Sequence, residues 1–335
     1  MTALEHGGNL AEAGRRHGHP PQAWLDLSTG IAPWAWPVPA LPAAAWHHLP
    51  DGDAALVAAA QACYGAGPLL PVAGSVAAIR ALPTVLQRWH PRARVIVAPL
   101  SFNEHAAAWS RAGHAVRTVA WDDFDAEVDH CDVAIVCHPN NPTADDAEPA
   151  RLLGWRERLA ARGGWLVVDE AFRDTRPERS VIGAAGQPGL VVLRSLGKFF
   201  GLAGARVGFV AGRPMLLDLL AAALGPWCVA GPSAAVATAA LHDTAWQQAQ
   251  RQRLIAASQR LAALLAGHGL PVSHSDFFAW TDTPAAAALH EGLAAHHAIW
   301  TRRFDEAQRV SLRFGLPGEE AAWRRLDRAL QDVLQ

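Results

Sequence analysis

Residues 133–170 read VAIVCHPNNPTADDAEPARLLGWRERLAARGGWLVVDE, and the rest of the chain can be arranged around them. Val133, Ala134, Ile135 and Val136 form a short apolar run, and Trp165, Leu166, Val167 and Val168 form another. Four consecutive apolar residues suit a strand covered on both faces rather than on one. Between the runs, residues 148–162 set Leu152, Leu153, Trp155 and Leu159 at helical spacing. The segment therefore reads as strand, crossover helix and strand, which is the unit of a parallel sheet.

The pattern repeats on either side. Apolar runs at 95–98, 190–193 and 207–210 are separated by amphipathic stretches or turns. This predicts an α/β fold with a mainly parallel central sheet between helices. The last two runs are joined by a loop with no helix-length gap, so they are expected to meet antiparallel. The chain ends differ from this core. Residues 1–45 are rich in Gly, Pro, His and Trp and read as an arm and an extended lead-in. Residues 246–264 carry a long helix pattern, followed by candidate strands at 277–281 and 309–314 and a final helix at 319–334. The expected division is a large domain at 46–245 and a smaller α+β domain built from 1–45 and 246–335.

Composition excludes several classes. Apolar residues make up 51% and charged residues 18%, which is unlike a disordered chain. The formal net charge of −2, without any block of like charge, gives no basic surface for nucleic acid or an anionic membrane. The uncharged stretch 219–241 is interrupted at Gly225-Pro226 and Gly231-Pro232, leaving pieces too short to cross ~30 Å of hydrocarbon. It is expected to be a buried helix, a loop and the start of a second helix. Cys63, Cys131, Cys137 and Cys228 form no C-x-x-C pair, and the N-terminus does not resemble a signal peptide, so a reducing cytoplasm is expected.

Of the 29 basic residues one alone is lysine, Lys198. Where any cation would serve, this chain uses arginine. A guanidinium cannot lose its proton and attack a carbonyl, whereas an amine can, so the exception marks Lys198 as a candidate nucleophile. Three further groups follow apolar runs or open helices, where open α/β sheets bind ligands. Gly74-Ser75 opens a helix whose N–H groups could meet a phosphate, although Gly-Ser also caps ordinary helices. His138-Pro139-Asn140-Asn141-Pro142-Thr143 is a turn that could present an amide. Asp169-Glu170 ends a fully apolar run, and a carboxylate there needs a cationic partner, either a protonated ring nitrogen or an arginine. Ser195 and Arg206 flank Lys198 and could share a phosphate. An imine-forming lysine, a carboxylate for a ring nitrogen, an amide for a ring oxygen and a phosphate cup make the inventory of a pyridoxal-phosphate site. No H-E-x-x-H, P-loop or G-x-G-x-x-G occurs, so neither a metal nor a nucleotide is expected.

The order Gly74-Ser75, HPNNPT, VVDEAF and RSLGKFFGLAGAR resembles the fold type I aminotransferase superfamily of pyridoxal-phosphate-dependent enzymes over nearly the whole chain. Within it, His6-Gly7-Gly8-Asn9, the stretch Leu27-Ser28-Thr29-Gly30-Ile31 and Leu312-Arg313-Phe314-Gly315-Leu316-Pro317 are similar to the threonine-phosphate decarboxylases of cobalamin biosynthesis, relatives of the histidinol-phosphate aminotransferases. The resemblance implies pyridoxal 5'-phosphate held by imine formation at Lys198, with Asp169 at the ring nitrogen and Asn141 at the ring hydroxyl. Phe102 would stack on the ring, and Gly74, Ser75, Ser195 and Arg206 would hold its phosphate. Arg313 would bind the substrate carboxylate. Arg302, with His6 and Asn9, would bind the substrate phosphate, Arg303 being the rival for that role. A cytoplasmic homodimer is implied, acting on a small phosphorylated amino acid near its interface.

The sequence also departs from the pattern. Phe172 and Leu49 stand where many relatives have tyrosines, and Gly30 and Ala32 where the decarboxylases often have asparagines. Ala144 replaces the usual glycine after Asn-Pro-Thr. Three other readings stay open at this point: a histidinol-phosphate-type aminotransferase, a pyridoxal-phosphate-binding regulatory module without catalysis, and a cofactor-free lysine-imine aldolase.

Overall fold

The computed structural model describes residues 6–50, 54–306 and 309–334. The chain divides into two compact units. The larger comprises Ala35–Asn141 and Asp145–Arg251, the smaller Met1–Trp34, Pro142–Ala144 and Gln252–Gln335.

The larger unit holds a seven-stranded sheet in the order Leu69–Val72, Gly208–Ala211, Leu190–Ser195, Trp165–Asp169, Val133–Cys137, Arg94–Val97, Ala115–Thr118. Every neighbouring pair is parallel except the two that Gly208–Ala211 makes. That strand and Leu190–Ser195 are the two runs expected to meet antiparallel, and they do. The central strands are buried along their length, as their unbroken apolar runs require. On one face Val95, Val133, Val167 and Val191 meet Ile79, Leu82 and Leu86 of the helix Ser75–Leu86, and Leu216 and Leu220 of Pro214–Leu224. Each such side chain contributes about 1.5–3 kcal/mol through burial. The stretch 219–241 resolves as expected into the end of Pro214–Leu224, a loop, and the helix Gly231–His242. Among the described residues no helix is long and apolar enough to cross a membrane.

In the smaller unit a five-stranded sheet runs in the order Leu25–Leu27, Ile299–Glu306, Arg309–Gly315, Phe278–Asp282, Ser273–Ser275. The first pair is parallel and the rest antiparallel. The N-terminal stretch is not extended throughout, as the sequence reading had it. Leu10–His17 is a helix, capped by the Asn9 side chain accepting from the Glu12 N–H at 3.2 Å and closed by Gly18 in a left-handed conformation. Its apolar face is little more than Leu10 and Ala13, too narrow a stripe to stand out as a period.

Candidate active site

The C-terminal ends of the parallel strands in the larger unit open into a cavity of about 110 Å³. Cys137 and Asp169 are register partners at the ends of adjacent strands, and both line it. Of the residues singled out for a cofactor, Ser75, Phe102, Asn141, Asp169, Ser195, Lys198 and Arg206 all line this one cavity, so residues spread over 130 positions of sequence converge. Gly74 stands directly behind Arg206. A Cβ on Gly74 would lie 2.6 Å from Arg206 Nη2, and the Gly74 φ of 75° is one that side chains resist, so glycine suits this position beside the guanidinium. Arg206 is itself left-handed at φ 53°, with Nη1 donating to the Ala203 carbonyl at 3.3 Å. Lys198 Nζ lies 5.5 Å from the centre of the Phe172 ring, and Phe172 is buried. Leu49, the other missing tyrosine, is exposed.

Sequence reasoning asked what cation partners Asp169 and did not find it. His105 Nε2 lies 2.9 Å from Asp169 Oδ2, and both groups are buried. The backbone N–H of Ala171 donates to Asp169 Oδ1 at 3.0 Å. Burial opposes charge on His105, but its hydrogen bonds to Asp169 and Cys137 outweigh that and push its pKa up to about 10. The available signal was the helix that starts at Glu104. It carries His105 three residues after Phe102, close enough for the two rings to meet edge to face at 6.0 Å. His105, Cys137 and Asp169 each offer a metal-ligand atom within 4.8 Å of the others. At 2.9 Å the His105–Asp169 contact is shorter than the ~3.3 Å between two ligands at ~2.0 Å around a tetrahedral zinc, so it is a direct hydrogen bond.

The smaller unit has a cavity of its own, about 820 Å³, lined by His6, Asn9 and Arg302 together with Arg16, His290 and Arg303. The His6-Gly7-Gly8-Asn9 turn is tied to the stretch after Leu25–Leu27. The Gly8 N–H donates to Ser28 Oγ at 2.7 Å, and Ser28 Oγ donates to Asp26 Oδ1 at 2.6 Å. A Cβ on Gly7 would fall 2.3 Å from the Ser28 carbonyl oxygen, which is why the two motifs need each other. Arg302 and Arg313 are cross-strand partners and therefore share a face of the sheet. Arg313 does not line the cavity. It is buried, its Nη2 donates to the Ser28 carbonyl at 2.5 Å, and burial with the neighbouring Arg302 charge pushes its guanidinium pKa down. Arg303, on the opposite face, is held by Asp305 at 2.6 Å.

A model of the family Aminotransferase class I and II matches residues 49–326. The chain is 53% identical to the threonine-phosphate decarboxylase of Pseudomonas aeruginosa over 98% of its own length and 97% of the relative's. It is 43% identical to that of a Sinorhizobium species over the same shares. Among solved structures, the histidinol-phosphate aminotransferase of Sinorhizobium meliloti in complex with pyridoxal-5'-phosphate superimposes with a TM-score of 0.81 at 21% identity, covering 99% of this chain and 95% of that one, and so shares its fold. The chain belongs to the class I and II aminotransferase family and, within it, groups with the threonine-phosphate decarboxylases.

Proposed function

We propose that this chain is a pyridoxal-phosphate-dependent carboxy-lyase that converts L-threonine O-3-phosphate to (R)-1-amino-2-propanol O-2-phosphate in cobalamin biosynthesis. The observation that carries the cofactor reading is the convergence of the chain's one lysine, the His105–Asp169 pair, and Ser75, Ser195 and Arg206 on a single cavity. The donor set fits the group. Arg206 and the Ser75 and Ser195 hydroxyls line the cavity and suit a phosphate, and the Asp169 carboxylate that lines it with them suits a ring nitrogen. The identity to two threonine-phosphate decarboxylases along nearly the whole chain supports the substrate and the outcome.

When bound, pyridoxal phosphate supplies an electron sink for the pair left at Cα as the carboxylate departs. The chain's own residues set up that event. Lys198 would hold the cofactor through its Nζ. Asp169, fixed by His105 and the Ala171 N–H, would pair with the ring nitrogen. Asn141 would serve the ring hydroxyl and Phe102 the ring itself. Arg313 would bind the substrate carboxylate, and Arg302, with His6 and Asn9, the substrate phosphate through charge-assisted hydrogen bonds. Lys198 Nζ then returns a proton to Cα.

The enzyme works in this reading as a cytoplasmic homodimer, with residues 46–245 as the cofactor domain. Its four cysteines are free, and Trp46, Leu49 and Trp227 are exposed large apolar side chains suited to a partner subunit. The deciding experiment is mass spectrometry of the reaction with L-threonine O-3-phosphate, with and without a keto-acid acceptor. Release of CO₂ and the amino-propanol phosphate without acceptor is expected. Turnover only with acceptor would make the enzyme a transaminase.

A further inference from the structure

His138 is fully buried, one residue after Cys137 of the cavity wall. Its Nε2 lies 2.7 Å from Asp146 Oδ1 and 2.9 Å from the Ala147 carbonyl oxygen. Both partners only accept, so Nε2 carries a hydrogen and donates to them. Nδ1 faces Glu170 Oε1 at 3.9 Å. The third charged group against the ring is Arg173, which donates from Nε to the His138 carbonyl at 3.2 Å and pairs with Asp146. One imidazole thus ties the first residue of the segment 138–147 to its last two. Inside that closure, the Asn140 N–H donates to the Asp145 carbonyl and Asn140 Nδ2 to the Leu100 carbonyl, both at 2.7 Å. Asn141, the next residue, is the one whose side chain lines the cavity.

Here a buried ring spans the segment from within, and the carboxylates on two sides of that ring favour its charged form against the cost of burial, raising its pKa. Arg173 and Arg179 also hold Asp146, and Arg179 Nη2 donates to the Ala147 carbonyl at 3.2 Å, but both arginines reach the segment from outside it. A neutral apolar side chain at 138 would remove the one donor that joins the first residue of the segment to its last two, and so loosen the closure around Asn141.

We propose that His138 is a positioning residue, closing the segment 138–147 from inside and so setting where the Asn141 amide stands in the cavity. The proposal rests on the cofactor reading above and deepens it. It makes a specific statement about coupling: His138 acts on the cofactor through Asn141 and by no other route.

The test is a double-mutant cycle on the full-length enzyme, with pyridoxal phosphate affinity read from visible absorbance during titration. Asn141→Ala and His138→Leu are each expected to weaken binding about tenfold, and the double variant no further than Asn141→Ala alone. His138→Gln, which keeps an N–H donor at similar reach, should recover most of the loss. A double variant weakened by the product of the two single effects would overturn the inference while leaving the cofactor site intact. So would wild-type affinity in His138→Leu. Wild-type affinity in Asn141→Ala would instead remove the cofactor reading and the inference with it. If the leucine variant does not fold, His138→Asn, whose amide is too short to span the segment, completes the same cycle with the same opposing outcomes.

Discussion

The cavity of the larger unit measures about 110 Å³ and is walled by strand ends and buried hydrogen bonds, whereas that of the smaller unit measures about 820 Å³ and is walled by a glycine turn and long basic side chains. In the first, positions are set by the backbone: Asp169 cannot move without the strand that it ends, and His105 and Ala171 hold both of its oxygens. In the second, charge is abundant but each guanidinium sits at the end of a flexible stem, and several are tied to carboxylates, as Arg16 is to Glu291 and Arg303 to Asp305. Groups that must meet reacting atoms are fixed to within a few tenths of an ångström, while groups that attract an anion can tolerate more freedom.

That contrast can be broken by substitution, and the two cavities should fail in different ways. Lys198→Ala is expected to lower turnover by at least about a thousandfold, measured as CO₂ release, and to abolish the visible absorbance of lysine-bound cofactor. Arg302→Gln should raise KM for the phosphorylated substrate by about 10–100-fold with a smaller change in kcat, as loss of a charge-assisted contact does, while Arg303→Gln should change KM less than about threefold. Equal effects at 302 and 303 would show that the smaller cavity recognises charge without regard to strand face.

Next in size is a pH effect. The His105 pKa is raised in the folded protein to about 10, so the imidazolium that holds Asp169 is present through pH 8 and is lost as pH rises toward 10. Wild-type cofactor affinity should therefore hold through pH 8 and fall toward pH 10. His105→Phe should bind about tenfold more weakly at pH 8 and lose that alkaline limb, as followed by absorbance titration. An unchanged limb would assign it to another group, Lys198 included. The smallest effect is expected at Ala144, whose φ of 66° is left-handed without being glycine. Ala144→Gly should raise stability by about 1 kcal/mol in a urea titration, because the strain it relieves exceeds the added freedom of the unfolded chain.

How much of this was legible depended on whether a feature was local. The strands at 133–137, 165–169 and 190–195 were readable because burial on both faces leaves in each a run of four apolar residues, 133–136, 165–168 and 190–193. Leu69–Val72 was not, since it contains Pro71, which an edge strand tolerates and a sequence reading takes for a break. Ile299–Glu306 was also missed, as five of its eight residues are polar or charged and it alternates too weakly. In the site, Lys198, Asp169 and Asn141 sit inside motifs whose neighbours announce them. His105 does not: its role comes from a partner 64 residues away that only the fold brings alongside, and in a chain with sixteen histidines nothing in composition separates it from the rest. His138 stands inside one of those motifs, but its partner Asp146, 8 residues on, shows only once the loop is folded.

The solitary ε-amine has a further use as a reporter of motion. A protease that cuts only after lysine has a single target peptide bond in this polypeptide, between Lys198 and Phe199, with the Leu196 and Phe199 side chains completely out of solvent. Such a bond is cleaved only when the segment around it opens. Where opening and reclosing are fast, the rate of a single, unambiguous cut then reports the free energy of that local opening. The cofactor-free protein is the one to time, since a cofactor held at Nζ would itself mask the lysine that the protease recognises.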